Sequence, residues 1–336
     1  MIPRYGLKYR QKELSKICEY APRGDSLAFV GIAGTGKSNI TSFLCQDPYE
    51  YKPQYLHNNL TTTHFVLIDA TTWKGTAESL LQLMFDALRE IQDKLPQEVE
   101  RPNITPLAPI GERTKRRLND LVNWFCSELG HRLMFILDDF DALLKAGPLA
   151  TLEELSRLRN ANKGSISYLM FTKALPHVLG ISHDLENKSK FYDLFKGNIF
   201  SLGLYSDEDS RQMLLYLNEV AGTPLNRGDL LTIQHYGGGH ARLIKLLFDC
   251  WRQEPPPAEQ ALGYFSTHSD ILKECERIMN GLHPDERSVI IRAAKNSLND
   301  DDYMFIDYLM TRGLLIRTVP LMWFSPVMAE YLRTLV

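Results

Sequence analysis

Through the first two hundred residues, short apolar runs rich in β-branched and aromatic side chains alternate with stretches of helical periodicity. The runs Ser26–Val30, His64–Ile68, Leu133–Leu137 and Ile166–Phe171 read as buried strands. Between them, Leu80, Leu81, Met84, Leu88 and Ile91 fall on one face of a helix predicted over Thr76–Asp93, a stripe suited to core packing. This alternation predicts an α/β fold, a parallel sheet with helices on both faces. Leu95–Gly111 carries Pro96, Pro102, Pro106 and Pro109 without periodicity and reads as a surface insertion ahead of a helix over Arg113–Leu129. Beyond Gly203 helices dominate. Ser206 to Asp209 has the form of a capping box, and its helix should run to about Val220 and stop near Gly222. A helical pair flanks Gly237–Gly239, and Glu254–Pro257 reads as a stiff linker. Ser269–Val336 shows three helical patterns and then two β-like pieces, Leu314–Thr318 and Leu321–Phe324, an order that suggests a winged helix. The expected domains are 1–202, 203–262 and 263–336: an α/β core, a helical domain and a winged helix.

Composition narrows the classes. A chain of 336 residues with 44% hydrophobic and 24% charged positions can bury substantial cores in two or three units. Its net charge of −3 is too near neutral for a general nucleic-acid or membrane binder. The five cysteines form no Cys-x-x-Cys pair and read as buried thiols of a reducing compartment. Met1–Gly6 lacks the apolar core of a signal peptide, and no run is long enough to span a bilayer, so a cytoplasmic protein without membrane contact is expected.

The chemistry enters at Gly31-Ile-Ala-Gly34-Thr-Gly36-Lys37-Ser38, a complete G-x-x-x-x-G-K-[ST] motif between a predicted strand and a predicted helix. The glycines let backbone amides curl around a β-phosphate, Lys37 reaches the β and γ phosphates, and Ser38 offers its hydroxyl to magnesium. Gly31, Ala33, Gly34, Thr35, Gly36, Lys37, Ser38 and Asn39 are the expected nucleotide-lining residues. A second element on a neighbouring strand should hold the metal, and Leu133–Leu137 followed by Asp138-Asp139-Phe140-Asp141 supplies it. Asp138 is expected to hold the magnesium-bound water and Asp139 to orient the attacking water, whereas Asp141 suits a helix N-cap. Asn187-Lys-Ser-Lys190 lacks the carboxylate that reads guanine, so ATP and ADP with Mg2+ are the expected ligands.

In this order the motifs resemble the STAND signalling ATPases and the origin-recognition-type ATPases of the AAA+ superfamily, over almost the whole chain. Tyr9-Arg10-Gln-Lys-Glu13-Leu14 resembles the segment that lies near adenine in those families, which places Arg10 there, although Tyr9 replaces the usual glycine. The resemblance makes Thr172 a γ-phosphate sensor, and puts Lys173 where many STAND proteins have arginine. Leu202–Asp209 looks like the approach to their helical lid, in which Gly238-Gly239-His240-Ala241-Arg242 stands where STAND proteins usually carry Gly-x-Pro. Arg242 fits the origin-recognition pattern, whose arginine contacts phosphates. Aspartate rather than glutamate at 139 implies slow hydrolysis.

A winged helix invites a DNA reading, but Ser269–Val336 holds eight basic residues against ten acidic ones, and the helix that would enter a groove begins Asp300-Asp301-Asp302. The first reading is therefore a STAND-like ATP switch that self-assembles on ATP or signals to a separate effector or sensor protein, with prokaryotic defence or regulation as a setting. The alternative is a DNA-linked ATPase of the replication-initiator or transposition-regulator type, using the basic cluster near Arg113 or an oligomeric channel. A third is a non-hydrolysing scaffold that retains ATP. Nothing beyond the loop suggests the acceptor pocket of a small-molecule kinase.

Overall fold

The computed structural model describes residues 4–45, 60, 62–96, 113–222, 224–316 and 321–335. Most of the Leu95–Gly111 insertion and the end of the Leu314–Thr318 piece lie outside the described residues. The chain divides into two compact units.

The first unit comprises Lys12–Val30 and Ser38–Phe200. Its centre is a five-stranded parallel sheet, β1 (Leu27–Val30), β2 (Thr63–Asp69), β3 (Arg132–Asp138), β4 (Ile166–Thr172) and β5 (Ile199–Ser201), in the order β2-β3-β4-β1-β5. Every residue of β4 is buried, as a run of Ile, Leu, Met and Phe without polar alternation requires when both faces are covered. One face, including Val66, Phe135 and Tyr168, packs into a core with Leu80, Met84 and Leu88 of α3 (Ala77–Lys94). On the other, Phe29 stacks on Phe171 at 5.9 Å and meets Phe200 at 6.0 Å. The helix predicted from Arg113 runs as α4 (Arg113–Asn123). It then widens into a π turn over Trp124–Glu128, where the Leu129 amide donates to Trp124 O at 3.0 Å.

The register corrects one expectation. β4 lies between β1 and β3, so the strand ending in Asp138 is next but one to β1, and Thr172 rather than Asp138 stands opposite Val30. Strand β5, three residues long, carries too short an apolar run for the pattern to reveal.

The second unit comprises Met1–Gln11, Gly31–Lys37 and Ser201–Val336. The phosphate-loop motif thus packs as part of the mostly helical C-terminal unit. Ser206 Oγ accepts from the Asp209 amide at 3.1 Å and starts α7 (Asp207–Val220), as the capping box predicts. α8 (Arg227–Gly237) and α9 (Ala241–Gln253) flank the glycine triplet. After the Pro255–Pro257 break come α10 (Ala261–Thr267), α11 (Ser269–Asn280), α12 (Pro284–Ala294) and α13 (Tyr303–Thr311). An antiparallel pair follows, β6 (Leu315–Ile316) with β7 (Met322–Trp323), then α14 (Pro326–Thr334), a closing helix the periodicity did not separate. Ile32 of the loop joins one continuous apolar core with residues of α7 to α14.

Candidate functional site

β1 runs directly into the loop Gly31–Gly36, and Lys37 opens α2 (Lys37–Cys45). Gly34 and Gly36 take φ of 84° and 93°, conformations that an L side chain strains to adopt. Each loop carbonyl from residue 31 to 35 has a donor. Lys37 Nζ donates to Gly31 O and Ile32 O, both at 2.9 Å, and Thr35 Oγ1 also donates to Ile32 O at 3.1 Å. His240 Nε2 donates to Ala33 O at 2.7 Å, the Arg242 amide donates to Gly34 O at 3.1 Å, and Arg10 Nη2 donates to Thr35 O. Peptide carbonyls turned toward these donors leave the curled loop to present amide dipoles to an anion.

Three of those clamps come from places the sequence reading assigned differently or passed over. Arg10, fully buried and left-handed at φ 45°, also donates from Nη1 to Gly203 O at 2.6 Å and stacks 4.5 Å over the Tyr205 ring. Its guanidinium therefore ties the loop to Gly203, just ahead of α7. Tyr205 itself lies against the loop: a Cβ on Gly36 would sit 2.9 Å from its hydroxyl. His240 is fully buried and serves two masters, since its Nδ1 accepts the Leu243 amide at 3.1 Å and caps α9. That pair of bonds fixes the tautomer with the proton on Nε2. A Gly-Gly-His run before a helix was the available signal, because histidine rarely caps and so invites a second role.

Burial lowers the His240 pKa to about 4, although its bond to Ala33 and the Glu274 carboxylate push the other way. The unfolded chain protonates this histidine near pH 6.5 and the folded chain does not. Stability is therefore complete above pH 6.5 and falls as pH drops toward 4. At pH 5 the loss from this one group is about 2 kcal/mol. Urea unfolding at pH 7 and pH 5 measures it, and His240→Asn, which can still cap, should flatten the slope.

Arg242 is 59% exposed, and its Nε pairs with Glu274 at 3.0 Å. Glu274 is nearly fully buried and also takes Arg277, with Nε at 2.8 Å and Nη2 at 2.5 Å.

In the sheet unit, Asp138 ends β3 and accepts the Asp139 amide at 3.1 Å. Asp139 is left-handed at φ 48° and pairs with Lys173 Nζ at 3.3 Å. Asp141 is not the N-cap of α5 (Asp141–Ala146), whose preceding position is Phe140. Its carboxylate instead accepts the Lys173 amide at 2.9 Å and binds the ends of β3 and β4 together. The Thr172 hydroxyl is buried at the tip of β4 without a hydrogen-bond partner. Ser38 is exposed and Asn39 half-buried on the first turn of α2. Among the described residues no group of three or more His, Cys, Asp or Glu could hold a metal by itself. The donors present, a hydroxyl at Ser38 and a carboxylate at Asp138, suit magnesium, which keeps its waters and takes few protein ligands. The glycine cradle at 34 and 36, with its positive φ angles, fits a phosphate chain. No helix among the described residues is long and apolar enough to cross a membrane.

A parallel sheet of this order with a complete phosphate-loop motif defines a P-loop NTPase fold. Residues 23–188, just under half of the chain, match the family model for the AAA domain. No curated protein matches the chain in sequence. Among solved structures, the Walker-type ATPase paby2304 of Pyrococcus abyssi superposes with a TM-score of 0.59 at 15% identity, over 96% of this chain and 95% of that one. The Aeropyrum pernix ORC2 protein in its ADP form gives 0.52 at 15% identity, over 98% and 93% of the two chains. At such identity the likeness establishes the fold. That fold is a P-loop NTPase core followed by a mostly helical C-terminal region.

Proposed function

We propose that this chain is an ATP-binding, slowly hydrolysing AAA+ switch of the replication-initiator or transposition-regulator type, assembling on DNA under nucleotide control. The observation that carries the switch is the grip on the phosphate loop. His240, Arg242 and Arg10 hold three successive loop carbonyls, so a nucleotide that reshapes the loop must disturb the helical C-terminal unit. Full-length likeness to an ORC2 protein supports the DNA-linked type ahead of STAND signalling.

In this reading Lys37 neutralises the β and γ phosphates, Gly31, Ala33, Gly34, Thr35, Gly36 and Asn39 line the nucleotide, and Arg242 contacts the phosphates. Ser38 and Asp138 would hold Mg2+, which supplies charge neutralisation on the phosphates. Asp139 positions the attacking water and Thr172 reads the γ-phosphate. Pairing of Asp139 with Lys173 supports slow turnover, because the carboxylate must leave a cation to accept a proton. Residues 203–262 serve as the lid, and 263–336 as a winged helix.

STAND-like signalling to a protein partner keeps one specific observation in its favour. Tyr303 and Met304 are exposed on α13, and the acidic Asp300–Asp302 precedes them. Asp302 is buried and holds Arg292, which removes one base from any phosphate contact. In the basic cluster of α4, Lys115 pairs with Glu154 at 2.6 Å and Arg117 lies 4.3 Å over the Phe85 ring.

Light scattering with ADP or a slowly hydrolysed ATP analogue, with and without duplex DNA, separates the readings. We expect particle growth only with the analogue and DNA together, weakening as salt rises, and none for Lys37→Ala. Growth with the analogue alone would overturn the DNA-linked type in favour of the signalling switch.

A further inference from the structure

Gly34 is crowded by charge. A Cβ there would lie 2.7 Å from Glu274 Oε1 and 2.8 Å from Arg277 Nη2, so both groups rest directly on the loop backbone. Both belong to α11, far along the chain from any motif that the sequence offers for phosphate binding. Glu274 Oε2 bonds Arg242 Nε at 3.0 Å and Arg277 Nε at 2.8 Å. One buried carboxylate therefore serves two guanidinium groups and leaves an uncompensated positive charge beside a loop shaped for an anion. A purely structural arrangement needs only one arginine to neutralise Glu274. The two arginines are 59% and 40% exposed, which keeps part of each fork within reach of a ligand, whereas Glu274 is 3% exposed and cannot be screened by water.

We infer that Arg277 is a second arginine, beside Arg242, that contacts the phosphates of bound nucleotide, and that Glu274 is its positioning residue. The inference rests on the ATP reading of the loop. Glu274 holds the Arg277 fork against Gly34 and pairs with Arg242 before the nucleotide arrives, and phosphate oxygens then compete with it for both guanidinium groups. A guanidinium donates bidentately to either acceptor, so the exchange conserves hydrogen bonds while the charge of the phosphates grows from ADP to ATP. The exchange loosens the hold of α11 on Gly34 more for the triphosphate than for the diphosphate. The third phosphate is thereby read by α11 as well as by the lid.

Equilibrium titration of the full chain with ADP and with a slowly hydrolysed ATP analogue tests this. The proteins are wild type, Glu274→Gln, Arg277→Ala, the double variant and Lys37→Ala. Arg277→Ala should weaken the analogue about tenfold or more and ADP less. Glu274→Gln should tighten the analogue several-fold and shift preference toward it, with little gain left in the Arg277→Ala background. If wild type binds neither nucleotide, the ATP reading falls and this inference with it. If wild type binds and Lys37→Ala does not, an unchanged analogue-to-ADP ratio in Arg277→Ala overturns the inference alone. Equal weakening of both nucleotides by Glu274→Gln marks a structural carboxylate and overturns it too. Arg277 is part-exposed, so its variant tests the inference even if Glu274→Gln fails to fold.

Discussion

Alanine at Gly34 is expected to lower nucleotide affinity by roughly 30-fold or more, the equivalent of about 2 kcal/mol at the loop. Two penalties add. At φ 84° an L residue loses about 1–2 kcal/mol to its own backbone. The new methyl would also press on His240, Glu274 and Arg277, an overpacking that costs about 1–3 kcal/mol. His240 cannot yield cheaply, because both ring nitrogens are engaged, one with Ala33 and one with the start of α9. Gly75 provides the control. It has the same φ of 84°, but an added Cβ meets nothing within 4 Å. Gly75→Ala should therefore lose stability modestly and bind nucleotide normally. Calorimetric titration with ATP, paired with melting curves, measures both variants. Wild-type affinity in Gly34→Ala would show that the clamp on the loop has no bearing on the ligand.

Removal of the Glu286 carboxylate should unfold the C-terminal helices at far lower denaturant. The Arg312 side chain is fully buried and that of Glu286 nearly so, and the two form an ion pair in the core. Breaking such a pair from one side costs about 3–5 kcal/mol, because a charge is left in a low-dielectric interior. Glu286 also accepts the His283 amide at 2.7 Å and so completes the capping box of α12. Glu286→Ala therefore loses a cap in addition. The pairing of Glu286→Leu with Arg312→Met should recover most of the loss, since apolar residues of similar volume fill the space without desolvating ions. Urea titrations followed by hydrogen exchange over residues 261–334 report this. A single variant as stable as the double would refute the account.

Four of the five strands, the capping box at Ser206 and the turn at Gly237–Gly239 were legible because each depends on local chemistry. Apolar runs, side-chain caps and glycine φ are set within a few residues. Strand order was not legible: β4 inserts between β1 and β3 through a crossover, and nothing in Leu133–Asp138 records which strand lies beside it. For the same reason Asp141 read as a cap, when its carboxylate is spent on the Lys173 amide across two strand ends.

The candidate site divides along the same line. Gly31–Ser38 and Asp138–Asp139 raise the expectation of phosphate and magnesium chemistry from residue type and spacing alone, because the loop conformation demands glycine and a phosphate chain calls for lysine. Arg10, Tyr205, His240, Glu274 and Arg277 gave little or no such signal. They lie between about twenty and more than two hundred positions from the loop they grip, and each is an ordinary residue in its own neighbourhood. The sequence by itself determined that this chain carries a glycine-rich turn with the form of a phosphate cradle, since that form is a property of one short segment. Only the tertiary structure decided what holds the cradle, since a carbonyl accepts from whichever donor the packing of a distant helix delivers.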